Sequence, residues 1–213
     1  MDKIDFKKTD KALYSGPPGA FQVIEVPDLP FLMIDGTGDP NNAPDYAAKV
    51  AALFTLSYAL KFLSKKEHQR DYTVGPLEGL WWAVDMADFT AGRRDRWKWT
   101  LMIRQPDWLT PDDIATARAE AIRKQAREKD PRATEADLAA IRAERYSEGL
   151  SVQFLHLGPY ADEAPTIARM HDVFMPEHGL APSLHHHEIY LSDPRRVAPE
   201  KLKTIVRQPV RRL

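Results

Sequence analysis

The fold is decided by the stretch His185-His186-His187-Glu188-Ile189-Tyr190-Leu191-Ser192-Asp193-Pro194. Isoleucine, tyrosine and leucine favour a β-strand, and the Asp-Pro pair ends it. Since side chains alternate along a strand, Ile189 and Leu191 share one face. His186, Glu188 and Tyr190 share the other. Burying an unpaired carboxylate is costly, so Glu188 lies either on a solvated sheet face or on the floor of an aromatic-lined pocket, where it binds a cation or moves a proton.

The composition is that of an ordinary globular protein. The 213 residues are 43% hydrophobic and 29% charged, with a formal net charge of -1 and no cysteine. Such a charge argues against nucleic-acid and acidic-membrane partners, and the lack of cysteine excludes disulfides and thiol chemistry. The most apolar run, 43–63, is interrupted by three charged residues and predicts a buried helix rather than a membrane span. We therefore expect a soluble, cytoplasmic protein.

Strand and helix patterns alternate along the chain. A polar arm at 1–20 precedes two short strands at 21–26 and 31–36, and a helix follows from 42–44 to 63. The remaining predicted elements are strands at 77–85 and 97–104, a charged helical region at 108–148, a strand at 150–157, a helix at 162–178 and strands at 185–191 and 203–209. On the strand 97–104 we expect one buried and one polar face.

The two halves of the chain repeat the order strand, helix, strand, strand. Met102-Ile103-Arg104-Gln105-Pro106 is echoed by Ile205-Val206-Arg207-Gln208-Pro209. The pattern predicts an α+β fold in which a duplicated β-α-β-β unit forms one pseudo-two-fold domain, with a ligand cleft between the repeats and an inserted helical connector. The boundaries are an arm at 1–20 and a single domain at 21–213, made of repeat one (about 21–107), the connector (about 108–148) and repeat two (about 149–213).

Aligning the repeats predicts which side chains line the cleft. With Asp85 matched to Asp193, three further pairs fall into register: Leu80 with Glu188, Trp82 with Tyr190 and Glu78 with His186. A cleft with these walls is an aromatic box with carboxylates. It suits a planar ligand that is apolar or cationic, through ring stacking, cation–π contact and charge pairing.

Several of these stretches resemble the GyrI-like small-molecule-binding family, which includes effector domains of multidrug-responsive regulators. The resemblance rests on the duplicated unit, which is SHS2-like, and on three motifs: 156–163 (HLGPYADE), 76–82 (PLEGLWW) and 186–196 (HHEIYLSDPRR). It covers roughly residues 20–210 and is closest to the stand-alone branch. In regulators of this family, a glutamate in the matching strand sits at the base of the drug pocket, and Glu188 matches it.

The resemblance also implies a chemistry. Some stand-alone members are cyclopropanoid cyclopropyl hydrolases, which open the spirocyclopropane of DNA-alkylating antibiotics with water. That reaction needs an acid and a base, and an apolar pocket would raise the pKa of Glu188 into a usable range. Glu78, Tyr146 or Tyr190 could complete the acid–base pair. The predicted ligand-binding residues are Trp81, Trp82, Trp99, Tyr190, His186 and Leu80.

Other chemistries find no support in the sequence. The run His185-His186-His187 lacks the helical spacing and the carboxylate partner of a zinc site. Gly36-Thr37-Gly38 lacks the rest of a phosphate-binding loop, and no serine elbow is present. We therefore expect neither a metal nor a cofactor.

Three functions stay open on the sequence alone. The first is a module that sequesters or senses hydrophobic, often cationic, drugs. The second is a hydrolase that detoxifies a cyclopropane-bearing or similarly electrophilic natural product. In the third, the helices of 108–148 fill the cleft and the protein only engages a partner.

Overall fold

The computed structural model describes residues 3–85, 88 and 91–213, and its architecture is α+β. The chain forms two compact units. The first comprises residues 1–6, 29–75 and 82–146, and the second comprises 7–28, 76–81 and 147–213.

Seven strands and seven α-helices make up the described part of the chain. The helices are α1 (Phe6–Thr9), α2 (Lys11–Tyr14), α3 (Tyr46–Glu67), α4 (Pro111–Gln125), α5 (Glu135–Ala140), α6 (Ala164–Arg169) and α7 (Met175–Glu177), with a π-helical turn, Met170–Phe174, between α6 and α7. The strands are β1 (Gln22–Thr37), β2 (Leu77–Ala83), β3 (Trp97–Arg104), β4 (Arg142–Leu157), β5 (Leu180–Pro182), β6 (His186–Tyr190) and β7 (Lys203–Arg212).

In the first unit, α3 packs on an antiparallel strand pair, and α4 and α5 pack on α3. β1 pairs with β3 from Phe31 opposite Arg104 to Thr37 opposite Lys98, and α3 contacts β3, α4 and α5. By length and composition alone, α3 could cross a membrane, with a mean hydropathy of 1.3. Its Leu53, Leu56 and Leu60 are fully buried. Thr110 caps α4 in a capping box with Asp113, as the Thr-Pro start predicts.

The second unit contains the strand around which the fold was predicted. β6 lies between β2 and β7 and is antiparallel to both, and β7 also pairs with β4 and β5. One face of this sheet carries the core of the unit, because α6, the π-turn and α7 cover it. The core residues are Val152, Phe154, Met170, Met175, Leu180, Val206 and Val210.

Four local predictions were wrong. β1 is one strand that continues through Pro27 and Pro30 instead of two short ones. The helical connector ends at Ala140, and the charged run that follows is the first part of β4. The segment 1–20 is not merely a surface arm, since it forms two short helices whose Leu13 and Tyr14 are buried. On β3 both faces are buried from Trp99 onward, Arg104 included.

Candidate functional site

β6 presents two different polar clusters on its two faces. Glu188 stands opposite Gly79 of β2 and Val206 of β7, while His187 stands opposite Leu80 and Arg207. Directly paired residues in an antiparallel sheet point to the same side, so the two faces can be assigned residue by residue. We call them the Glu188 face and the His187 face.

On the Glu188 face, the carboxylate is held by its neighbours along the strand. The Tyr190 hydroxyl donates to Oε2 at 2.8 Å, and Nε2 of His186 lies 3.3 Å from Oε1. This confirms that His186, Glu188 and Tyr190 share a face. The Glu188 side chain keeps 17% of its surface exposed, so solvent or a ligand can reach it.

Glu163, at the start of α6, supplies a second carboxyl to the Glu188 face. The residue is only 3% exposed, and its Oε1 is buried without a hydrogen-bond partner among the residues that the structure describes. Burial, followed by the nearby charge of Glu188, raises the pKa of Glu163 to about 9, although the Thr204 hydroxyl opposes the rise. Glu163 is therefore a carboxylic acid at neutral pH.

Glu188 behaves in the opposite way. Burial favours a higher pKa for its carboxyl, but the hydrogen bonds from His186 and Tyr190 and the charges of His186 and His187 outweigh it and lower the pKa. The prediction of a raised pKa for Glu188 was wrong because it assumed an apolar environment. The two carboxyls of this face thus hold one proton, which Glu163 carries.

Aromatic rings border the pair. Tyr190 packs edge-on against Tyr160 with ring centroids 5.5 Å apart, and Tyr160 is 38% exposed. Burial and the charges of Glu163 and Glu188 raise the pKa of Tyr160 to about 12, so its hydroxyl keeps its proton. Trp81 pairs with His186 and is buried, and its indole lies over Gly79, where a Cβ would come within 2.7 Å of Nε1. The absence of a side chain at Gly79 thus makes room for the indole directly opposite Glu188.

The His187 face carries a network of four buried charges. His187 Nδ1 lies 2.8 Å from Glu148 Oε1, and its Nε2 lies 3.0 Å from Glu78 Oε2. Arg207 Nη1 donates to Glu148 Oε2 at 2.7 Å. Each of these side chains is at most 3% exposed. Two cations and two anions balance, which is the condition under which buried charges are tolerated.

The ionisation of this network follows from its geometry. Burial disfavours a charged imidazole, but the charges and hydrogen bonds of Glu148 and Glu78 raise the pKa of His187 to about 9. Burial likewise opposes a charged Glu148, yet His187 and Arg207 lower its pKa to about 2. His187 is an imidazolium at neutral pH.

The structure separates the predicted site residues. Glu78 and Leu80 lie on the His187 face, so the predicted pairing of Glu78 with Glu188 in one cleft was wrong as a face assignment. Trp99 is fully buried in the first unit, edge-on to Tyr46 and with its indole N–H donating to Gly38, which makes it a core residue rather than a ligand wall. Trp82 and Tyr146 are half-buried residues of the first unit, and their roles stay predictions.

Sequence reasoning missed Glu163, Glu148 and Arg207. Glu163 follows a Gly-Pro turn at a helix start, where an acidic residue is normally explained by the helix dipole. Glu148 sits in a charged run that resembles a solvated helix. The one available signal was Arg207, because an arginine inside the apolar strand 203–209 requires a buried partner.

An open cavity of about 550 Å³ lies in the first unit and takes none of its walls from β6. Its walls are Thr37, Gly38, Asp39, Asn42, Ala43, Pro44, Gly92, Arg93, Arg94 and Asp95. Over residues 3–85, 88 and 91–213, no group of three or more His, Asp or Glu side chains is arranged to hold a metal ion.

Comparison with known proteins gives a consistent assignment. Residues 20–211 match the family model described as the GyrI-like small molecule binding domain. An uncharacterized conserved protein from Listeria innocua is 39% identical, with a TM-score of 0.84, over 98% of this chain and 100% of its own. A hydrolase from Listeria innocua is 38% identical, with a TM-score of 0.82, over the same shares. The C-terminal domain of EcmrR shares the fold, with a TM-score of 0.55 and 9% identity over 91% of this chain and 98% of its own. A search of curated proteins gave no match.

Proposed function

This chain belongs to the GyrI-like small-molecule-binding family, and from that premise we propose that it binds a hydrophobic, aromatic molecule on the Glu188 face and hydrolyses it. The substrate class is an electrophilic natural product of the spirocyclopropane type. One feature carries the proposal: the pKa values of the two carboxyls on this face are shifted in opposite directions, that of Glu188 lowered and that of Glu163 raised to about 9. Carboxyl pairs whose pKa values are driven apart are the usual signature of a base beside an acid.

The pair can add water across a strained carbon–carbon bond. Glu188 takes a proton from water, and the hydroxyl oxygen bonds to a cyclopropane carbon. The bond between that carbon and the spiro carbon breaks, and its electrons enter the adjoining ring, where an oxygen becomes a phenolate. Glu163 protonates that oxygen. Water has then been added as hydrogen and hydroxyl, and proton transfer from Glu188 back to Glu163 restores the starting state.

Binding would rely on the aromatic border of the Glu188 face. Tyr160 and Tyr190 offer an exposed and a half-buried ring, and Trp81 contributes its indole opposite Glu188. Rings of this kind stack on flat substrates and exclude water from the reacting atoms. The hydroxyl of Tyr190 already donates to Glu188 and would orient its carboxylate toward the attacking water.

The hydrolase assignment draws further support from the relative in Listeria innocua that bears that name and is 38% identical over nearly the whole chain. The second candidate is a non-catalytic module that sequesters or senses drugs. Family membership favours it, since the family is described by binding and not by reaction. Both functions use the same face and differ in whether the bound molecule reacts.

The two functions can be separated by incubating the protein with a spirocyclopropane model compound and monitoring the aromatic absorbance of that compound. We expect turnover by the wild type and its loss in Glu188→Gln, which keeps the shape of the side chain but cannot act as a base. Binding of the compound should persist in that variant, because stacking is unchanged. Glu177→Gln, an exposed glutamate of the same unit, is the matched control. Saturable binding without any turnover by the wild type would leave the sequestering function.

We further propose that the fold arose from the duplicated β-α-β-β unit that the sequence predicts. Its support is the burial of both copies of the repeated Arg-Gln pair, Arg104-Gln105 at the end of β3 and Arg207-Gln208 within β7, all at most 5% exposed. We also propose a cytoplasmic location. A circularly permuted chain that begins at repeat two and still folds would support the duplication.

A further inference from the structure

The sequence of β6 leaves its register weakly specified. Three consecutive histidines, His185 to His187, precede Glu188. A slip of one residue would replace one histidine by another on each face and would turn Glu188 away from Glu163. Hydrophobic patterning offers little resistance, because Ile189 is the one aliphatic residue within the strand. Something else has to fix the register.

The network on the His187 face, whose residues come from four strands, can fix the register of β6. Glu78 comes from β2, His187 from β6, Arg207 from β7, and Glu148 and Gln153 from β4. The imidazole lies within hydrogen-bond distance of both carboxylates, and Gln153 Oε1 accepts from Arg207 Nε at 3.1 Å and Nη2 at 2.9 Å. A neighbouring histidine in place of His187 could not keep the ring between its two carboxylates.

Helix α2, which lies outside the sheet, also contacts the network. Arg207 Nη2 donates to the Leu13 carbonyl at 2.7 Å, and Gln153 Nε2 donates to the Ala12 carbonyl at 2.8 Å. The Tyr14 hydroxyl donates to Glu78 Oε1 at 3.3 Å. These three bonds tie residues 12–14 to the buried polar groups of the network.

We infer that His187, held between Glu78 and Glu148, is a positioning residue for Glu188: the network on one face of β6 fixes the register and the ionised state of the carboxylate on the other. The inference rests on the proposed function, because it gives Glu188 the role of base. It adds a residue that never touches the substrate.

Both side chains are surrounded by titratable groups that influence their ionisation. Glu188 faces His186 and Tyr190 on its own strand and Glu163 and Tyr160 from the segment after β4. His187 faces Glu78, Glu148, Arg207 and, through Glu78, Tyr14. The positive charge of His187 is felt by Glu188, where it favours the carboxylate.

The test is a carbon-13 NMR titration of side-chain glutamate carboxyls in the full chain. In His187→Gln we expect the Glu188 carboxyl to titrate about one pH unit higher than in the wild type, since a cation is lost and the strand is less firmly held. The exposed His185→Gln is the matched control and should leave the titration unchanged. An unchanged Glu188 titration in folded His187→Gln would overturn the inference.

A second measurement covers the case in which His187→Gln does not fold. In Glu163→Gln, which removes the neighbouring carboxyl whose pKa is also about 9, the Glu188 carboxyl resonance should show a second inflection when His187 loses its proton, near pH 9. A Glu188 carboxyl chemical shift that stays constant over the pH range in which nitrogen-15 NMR shows His187 losing its proton would contradict the inference. Neither measurement needs a substrate, so a failure of the hydrolase proposal would appear only as absent turnover. If the protein turns over the substrate, the acidic limb of the pH profile of kcat should shift in His187→Gln by the same amount as the Glu188 titration, while KM changes less.

Discussion

The two faces of β6 contain similar residues and have opposite character. On the His187 face, two cations and two anions lie within ion-pair distance of one another. The Glu188 face has two carboxyls, one of which, Glu163, has a buried oxygen with no hydrogen-bond partner among the described residues. Buried charges of opposite sign are tolerated when they are paired, whereas a second carboxyl buried beside a carboxylate is costly. The proposed site lies on the face where the two carboxyls meet.

Breaking the network of the His187 face should have the largest effect. Arg207→Ala leaves Glu148 with only His187 and removes the donors to Gln153 Oε1 and to the Leu13 carbonyl. Removal of one partner from a buried ion pair costs about 3–5 kcal/mol. We expect the free energy of unfolding in urea to fall by that amount. Arg145→Ala, which removes an exposed ion pair with Asp107, is the control and should leave the urea midpoint unchanged. Equal effects of the two variants would refute the contrast between buried and exposed pairs.

Raising the pH should also lower the free energy of unfolding through this network, but by less than Arg207→Ala does. The pKa of His187 is about 9 in the folded chain against 6.5 in an unfolded one, so its stabilisation is complete below pH 6.5 and is lost as the pH rises through 9. The shift corresponds to about 3 kcal/mol. Urea unfolding of Glu163→Gln at intervals from pH 6 to 9.5 measures this loss, because Glu163 in the wild type also lowers stability over the same range. A free energy of unfolding that stays constant over this range would mean that His187 is neutral when folded.

Removing the unsatisfied acid should stabilise the protein. Glu163 keeps its proton in the folded chain up to about pH 9, while the unfolded chain ionises it above 4.5, so this residue lowers stability as pH rises between those values. Glu163→Gln abolishes the difference and should therefore stabilise the protein at pH 8 and leave its stability unchanged at pH 4. Thermal melts at both pH values measure the gain, and turnover should be lost. A destabilised variant at pH 8 would show that Glu163 is ionised and structurally needed.

Sequence reasoning predicted the elements well and the site unevenly. The period-two pattern located β6 and its Glu188 face, and a capping sequence located the start of α4. It failed for Arg142 to Glu148, because charged residues in a strand have the same composition as a solvated helix. The Glu188–Glu163 pair escaped detection because its members are far apart in sequence and meet only through the packing of α6 on the sheet. Which side chains share a face depends on the register between adjacent strands. The repeat alignment placed Leu80 at the position of Glu188, whereas in the sheet Glu188 is paired with Gly79.

Gly79 has a consequence for how this family could diversify. The indole of Trp81 occupies the space where any side chain at position 79 would have to go. Exchange of this residue would therefore force the indole to move, at the strand position directly opposite Glu188. The size of the residue at position 79 would then change the aromatic wall of the proposed site without changing any of its titratable groups.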